Sequence, residues 1–148
     1  MKTQLVRQWM TPNPICALPE MTVPEAHKLM SEKRIRRLPV VRDGRLVGIV
    51  TLGDVRGAQP SEATTLSIFE LNYLLSKLTL DRIMTRHPVT IRPDETVYDA
   101  ARLMLQKKIA GLPVVEGERV VGILTESDIF RMLVRLWEHE AEEALTQL

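Results

Sequence analysis

The sequence predicts an α/β (α+β) protein: two copies of one β-α-β-β-α unit, a helix between them and a long C-terminal helix. Three observations carry this expectation. The stretch RLVGIVTLGD, Arg45 to Asp54, returns as RVVGILTESD, Arg119 to Asp128. The offset between copies is constant, since Met10 and Met84, Pro39 and Pro113, and Asp54 and Asp128 all lie 74 residues apart. Residues 10–55 align with 84–129 without a gap, and 21 of the 46 pairs are identical. A fixed period of this kind is the mark of duplication.

Each element can be justified in order. Both copies open on Met-Thr-x-x-Pro, at 10–14 and 84–88. A short apolar piece follows, Ile15, Cys16, Ala17 and Leu18 in one copy and Val89, Thr90 and Ile91 in the other, and reads as a first strand. Thr22 and Glu25 form a capping-box pattern, in which a hydroxyl and a carboxylate three residues apart satisfy free amides of a starting helix. Thr96 and Asp99 keep an acid in that place. Apolar residues then recur at helical spacing: Val23, Ala26, Leu29 and Met30, matched by Val97, Ala100, Ala101 and Met104. The phrase Leu-Pro-Val-Val, at 38–41 and 112–115, reads as a strand, and Asp43 with Gly44 and Glu116 with Gly117 mark turns. Leu46 to Val50 and Val120 to Leu124 supply the returning strands. Their nearly unbroken apolar character predicts burial on both faces. A unit of about 50 residues buries little surface alone, so the copies are expected to pack sheet to sheet with pseudo-twofold symmetry.

Helices should begin near Thr51 and Thr125. Gly57 and Pro60 should stop the first of these early. Residues 65–78 carry Leu66, Phe69, Leu71, Tyr73, Leu74, Leu75 and Leu78, which predicts a connecting helix with a broad apolar face. The second copy has no such break, so its last helix is expected from Glu126 towards Ala144, with Glu138 to Glu143 in solvent. The expected division is 1–58 for the first repeat, 59–78 for the connection and 79–148 for the second repeat.

Composition narrows the function. The chain has 148 residues, 45% of them apolar and 26% charged, with a net charge of +1. That balance gives no reason to expect a nucleic-acid or anionic-membrane partner. Residues 1–74 carry +3 and residues 75–148 carry −2. The one cysteine, Cys16, forms no intramolecular disulfide, which suits a reducing compartment. No signal peptide and no run of ~18 apolar residues is found, so a cytoplasmic protein without a membrane partner is expected. His27, His87 and His139 stand at no metal-ligand spacing. Cys16 has no evident base partner and reads as a small buried hydrophobe. No Gly-rich phosphate loop or nucleophile elbow is present. The expectation is therefore no catalytic residue, no metal, no required cofactor and no enzymatic activity.

The candidate site is the recurring Thr-x-x-Asp, Thr51 with Asp54 and Thr125 with Asp128, in which only the two polar positions are held. One reading is a second capping box. The other starts from the same geometry. A helix start presents free amides that suit a polar ligand, and an ionised aspartate there accepts two hydrogen bonds from a vicinal diol such as a ribose. Spacing alone fits both.

The gapless pair, the phrases Leu-Pro-Val-Val, Val-Gly-Ile and Thr-x-x-Asp, and the Met-Thr-x-x-Pro openings together resemble a tandem pair of CBS domains, of the cystathionine β-synthase type. The resemblance spans roughly 5–58 and 79–135. It implies two β-α-β-β-α units paired sheet to sheet, with two clefts between the repeats. Those clefts would hold AMP, ADP, ATP or S-adenosylmethionine, and two modules would associate as a disc-like homodimer. It also implies that Asp54 and Asp128 each take ribose hydroxyls, with Thr51 and Thr125 beside the sugar or phosphate. Ile15, Cys16, Ala17, Val89, Thr90 and Ile91 would contact a base, and the segments before Leu38 and Leu112, with Pro113, would line the clefts.

The copies differ before that strand. Arg36 and Arg37 stand where the second copy has Ala110 and Gly111. A guanidinium makes bidentate contact with phosphate, so Arg36 and Arg37 are expected to recognise it, with the Asp54 cleft preferred. A solvated basic helix end is the competing reading of residues 33–37. Nucleic acid is not expected there, because the patch is short and lacks an aromatic platform. The function expected is a non-catalytic regulatory sensor of adenosine nucleotides, of the energy-sensing kind, read by an unidentified protein partner. The alternative is a ligand-free dimerisation module. Leu66 to Leu78 and Ile129 to Trp137 are the candidate faces for homodimerisation.

Overall fold

The computed structural model of the protein describes residues 3–60 and 65–147. A short helix α1 (Val6–Trp9) and strand β1 (Thr11–Pro12) precede α2 (Val23–Lys33), β2 (Arg37–Arg42), β3 (Arg45–Thr51) and α3 (Leu52–Gly57). The connecting helix α4 (Ile68–Lys77) and a 3-10 turn (Leu80–Arg82) lead to β4 (Thr85–Arg86). Then come α5 (Val97–Lys107), β5 (Gly111–Glu116), β6 (Arg119–Thr125) and α6 (Glu126–Thr146).

The strands form two antiparallel three-stranded sheets, ordered β2-β3-β4 and β1-β6-β5. The chain divides into two compact units, Ile15–Pro88 and Met1–Pro14 with Val89–Leu148. These units cut across the duplication. The opening of the first repeat is built into the unit of the second, and the opening of the second into the unit of the first.

Residue size permits the close approach at each of these junctions. A Cβ on Gly48 would sit 2.5 Å from Met84 Sδ and 3.0 Å from the Thr85 carbonyl oxygen. A Cβ on Gly122 would collide with Met10 Sδ and lie 3.1 Å from the Thr11 carbonyl oxygen. The glycine of Val-Gly-Ile is thus the gap that admits the methionine of Met-Thr. Register agrees: Ile49 pairs with Thr85, and Ile123 with Thr11.

Each unit has its own core. In one, Val23, Ala26 and Met30 of α2 pack on Leu38, Val40, Val50 and Val55, with Leu80 from the second repeat's opening. In the other, Val6 joins Ile91, Ala100, Met104, Leu112, Val114 and Leu124. The helical spacings read from the sequence therefore mark the inward faces. Thr22 and Glu25 exchange the expected pair of capping bonds, both at 3.3 Å. Helices α2 and α5 end on Arg34 and Lys108 in the left-handed region, at φ 54° and 55°. That reversal turns the chain from each helix into β2 and β5.

Two expectations need correction. The apolar pieces at 15–18 and 89–91 are not strands; each contributes a single parallel bridge, Ala17 with Val40 and Ile91 with Val114. A parallel ladder draws on every second residue, and two positions on from Ala17 and Ile91 stand Pro19 and Pro93, which have no N–H to donate. The returning strands are also not equally buried on both faces. Gly48 and Val50, like Gly122 and Leu124, are buried, whereas Val47, Ile49, Val121 and Ile123 are half-buried.

The other helices agree with expectation. Helix α3 ends at Gly57, α4 lies within 65–78, and α6 runs two residues past Ala144 with Glu138 to Glu143 exposed. Among the described residues, no helix is long and apolar enough to cross a membrane.

Substituting Gly48 or Gly122 by alanine should force the facing methionine and strand apart. A loss of about 1–3 kcal/mol is expected, read as a fall of several degrees in the thermal midpoint. Alanine at Gly53, where the nearest atom to a new Cβ is 3.6 Å away, should leave that midpoint much closer to the parent value.

Candidate functional site

The strand-to-helix corners at Thr51 and Thr125 are built alike. In the first, Thr51 ends β3 in extended conformation and caps α3. Its N–H donates to Asp54 Oδ2 at 2.9 Å, and its Oγ1 accepts from the Asp54 N–H at 3.1 Å. The Leu52 N–H donates to the Arg36 carbonyl at 2.8 Å. That bond ties the segment before β2 to the corner, and register places Arg37 opposite Thr51. Arg36, Arg37, Thr51, Leu52, Gly53 and Arg56 line a cavity of about 370 Å³. Asp54 is half-buried beside this cavity and is not among its lining residues.

The second corner repeats the backbone plan. The Thr125 N–H donates to Asp128 Oδ2 at 2.9 Å, and the Glu126 N–H donates to the Ala110 carbonyl at 3.1 Å. Gly111 lies opposite Thr125. The side chains differ. Asp128 is only 5% exposed. Its Oδ2 also accepts from the Thr125 hydroxyl at 3.2 Å, and its Oδ1 accepts from Arg131 Nη1 at 2.8 Å. Nearby, a groove of about 430 Å³ is lined mainly by Met104, Leu105, Ile109, Ala110, Ile129 and Phe130. The lining of the first cavity is basic, and this one is apolar. The repeat explains the contrast, because Arg36 and Arg56 are replaced by Ala110 and Phe130.

Arg56 and Arg131 were not singled out from sequence. Their signal was present: against each other's repeat, Arg56 aligns with Phe130 and Arg131 with Gly57.

The expected base-contacting residues fall on the bridging segments. Ala17 and Ile91 are buried, and both their N–H and C=O groups are engaged, with Pro39 and Val41 and with Pro113 and Val115. Ile15 is exposed, while Cys16, Val89 and Thr90 are half-buried. Pro113 and Gly111 are buried in β5. Burial pushes the Cys16 thiol up from its ordinary range, which keeps it protonated and a poor nucleophile. His27 Nδ1 lies 3.1 Å from Gln59 Nε2. Among the described residues, no group of three or more His, Cys, Asp or Glu is placed to hold a metal ion.

Comparison with known proteins adds to this geometry. The family model described as "CBS domain" matches twice, at residues 6–61 and 80–135. The chain belongs to the CBS-domain family. It is 34% identical over 136 residues to a CBS domain-containing protein of Dictyostelium discoideum, covering 90% of this chain and 94% of that one. Among solved structures it resembles the CBS domain pair of protein MJ0100 in complex with 5′-methylthioadenosine and S-adenosyl-L-methionine. That match has a TM-score of 0.74 at 34% identity, over 88% of this chain and 96% of that one. It also resembles CBSX2 of Arabidopsis thaliana in complex with AMP, with a TM-score of 0.73 at 33% identity, over 90% and 98% of the two chains. Three larger curated relatives carry enzyme names, and the chain spans 21–23% of their length. The CBS pair is thus also found as part of longer proteins.

The two caps should differ in their structural weight. Asp54→Asn removes a negative charge from the first turn of α3, which is worth about 0.3–1 kcal/mol. Asp128→Asn should cost more, because it also weakens the bond to Arg131. Chemical denaturation of both variants beside the parent checks that order.

Proposed function

We propose that the protein is a non-catalytic regulatory module that binds adenosine compounds at the corners marked by Asp54 and Asp128. The observation that carries this reading is the Asp54 corner. Three guanidinium groups and a threonine line a cavity beside a carboxylate that is only partly engaged by its own cap. A carboxylate suits a ribose diol, and guanidinium groups suit phosphate. The complexes of CBSX2 with AMP and of MJ0100 with S-adenosyl-L-methionine support the same ligand class. Arg36, Arg37 and Arg56 favour AMP, ADP or ATP at the Asp54 corner. Ile15, Cys16, Ala17, Val89, Thr90 and Ile91 remain the proposed contacts to the base, and Ala110, Gly111 and Pro113 the proposed lining at the second corner.

The reading extends to assembly and place. Phe69, Tyr73 and Leu74 on α4, and Phe130, Val134 and Trp137 on α6, are exposed apolar residues. Apolar faces of this kind mark interaction surfaces. They support a homodimer and a separate protein partner that reads the bound state; a cytoplasmic location is part of the same proposal. In this reading the module catalyses nothing and acts by binding.

A second reading, a dimerisation module without a ligand, is favoured by one fact: both aspartates already serve as caps. Thermal unfolding separates the two. A ligand at 100 times its Kd adds about 2.7 kcal/mol of stability. AMP, ADP, ATP or S-adenosylmethionine at millimolar concentration should therefore raise the midpoint by several degrees. The shift given by a nucleotide should fall in the double variant Arg36→Ala, Arg37→Ala and be lost or sharply reduced in Asp54→Ala. No shift with any of the four compounds would favour the ligand-free module.

A further inference from the structure

We propose that Arg131 is an internal competitor for ligand at Asp128, so that the two corners fill in order: Asp54 first, and Asp128 only once the guanidinium has swung away. This rests on the reading of the two Thr-x-x-Asp corners as sites for a ribose diol.

The two carboxylates hold unlike partners. At Asp54 the Thr51 N–H occupies Oδ2, and no donor is recorded at Oδ1 among the described residues. At Asp128 both oxygens are taken, Oδ2 by the N–H and hydroxyl of Thr125 and Oδ1 by Arg131 Nη1 at 2.8 Å. The Asp128 side chain is 7% exposed, against 53% for Arg131. A diol and a guanidinium both bind a carboxylate by donating hydrogen bonds to it. With Asp128 so nearly enclosed, Arg131 stands at the oxygen left open for a diol. The Arg131 side chain is about half exposed, so it can leave without disturbing the core.

The residue three positions after each aspartate is why only one corner is closed. Residues i and i+3 face each other on a helix, and Arg131 stands at that spacing from Asp128 near the start of the 21-residue α6. The equivalent position in the first repeat is Gly57, the last residue of the six-residue α3. It has no side chain, so it cannot supply a competitor. The repeats thus share a binding plan but not an affinity, and one ligand is read over two concentration ranges.

Titration calorimetry of the full chain with AMP, and in parallel with S-adenosylmethionine, tests this. The parent should show a tight and a weak class of site. Asp54→Ala should remove the tight class and leave the weak one. In that background Arg131→Met, which keeps an apolar stem and no donor, should tighten the remaining site about tenfold, or ~1.4 kcal/mol. Arg131→Gln, which keeps a neutral donor, should tighten it less. In the chain with Asp54 intact, Arg131→Met should leave the tight class unchanged. An affinity at Asp128 that is unchanged or weaker in Arg131→Met would overturn the proposal, since Arg131 would then be holding the carboxylate in place for the ligand. Binding of neither compound by the parent, with no effect of Asp54→Ala, would instead overturn the adenosine-site reading and this inference with it.

Discussion

Neither repeat finishes its own sheet. Met84 and Thr85 complete the sheet around Gly48, and Met10 and Thr11 complete the one around Gly122. This close approach of a methionine to a bare backbone is the constraint on which the rest depends. It closes each core with a residue from the other repeat's opening, Leu80 in one and Val6 in the other. It also accounts for why Met-Thr and Val-Gly-Ile survive in both copies while the residues around them have diverged. Unfolding one opening would strip an edge from the sheet it serves. Each sheet is therefore completed across the duplication, by a segment of the other repeat.

That scaffold delivers two equal corners. Strand pairing places residue 37 opposite 51 and residue 111 opposite 125, and one amide-to-carbonyl bond ties each corner to the strand before it. What occupies the corners is not held in common. Two arginines give way to alanine and glycine, a third to phenylalanine, and a terminal glycine becomes an arginine. Charged hydrogen bonds are worth ~1.5–3 kcal/mol each, against ~1 kcal/mol for a neutral one. Three of these substitutions take guanidinium groups away from the second corner, and the fourth sets one directly on its carboxylate. Duplication set the geometry, and divergence set the chemistry.

Helices α4 and α6 carry exposed apolar side chains, although Asp128 and Met132 of α6 are buried. No residue of α4 is buried, and Phe69 is 84% exposed. Trp137 on α6 is 57% exposed. Packing inside the units does not explain these side chains, because both cores close without them. They lie on the two elements that depart most from the repeat.

Much of this was legible along the chain. The duplication, the capping residues, the inward faces of α2 and α5, the early stop at Gly57 and the long α6 are all written in near neighbours, where a period of 3.6 or a hydroxyl three residues from an acid is visible. The first strands were misplaced for an instructive reason. Ile15 to Leu18 looks like a strand by composition, but strand pairing needs donors at alternate residues, and Pro19 removes one. The true edge strands, Thr11–Pro12 and Thr85–Arg86, are two residues long and have no periodicity to detect. By itself the sequence determined the repeat, its elements and the pair of carboxylates, because those depend on local spacing. Only the tertiary structure decided which sheet each opening joins and which carboxylate oxygen is already taken. The first depends on one methionine meeting one glycine far along the chain, and the second on a guanidinium turning back across a single helical turn.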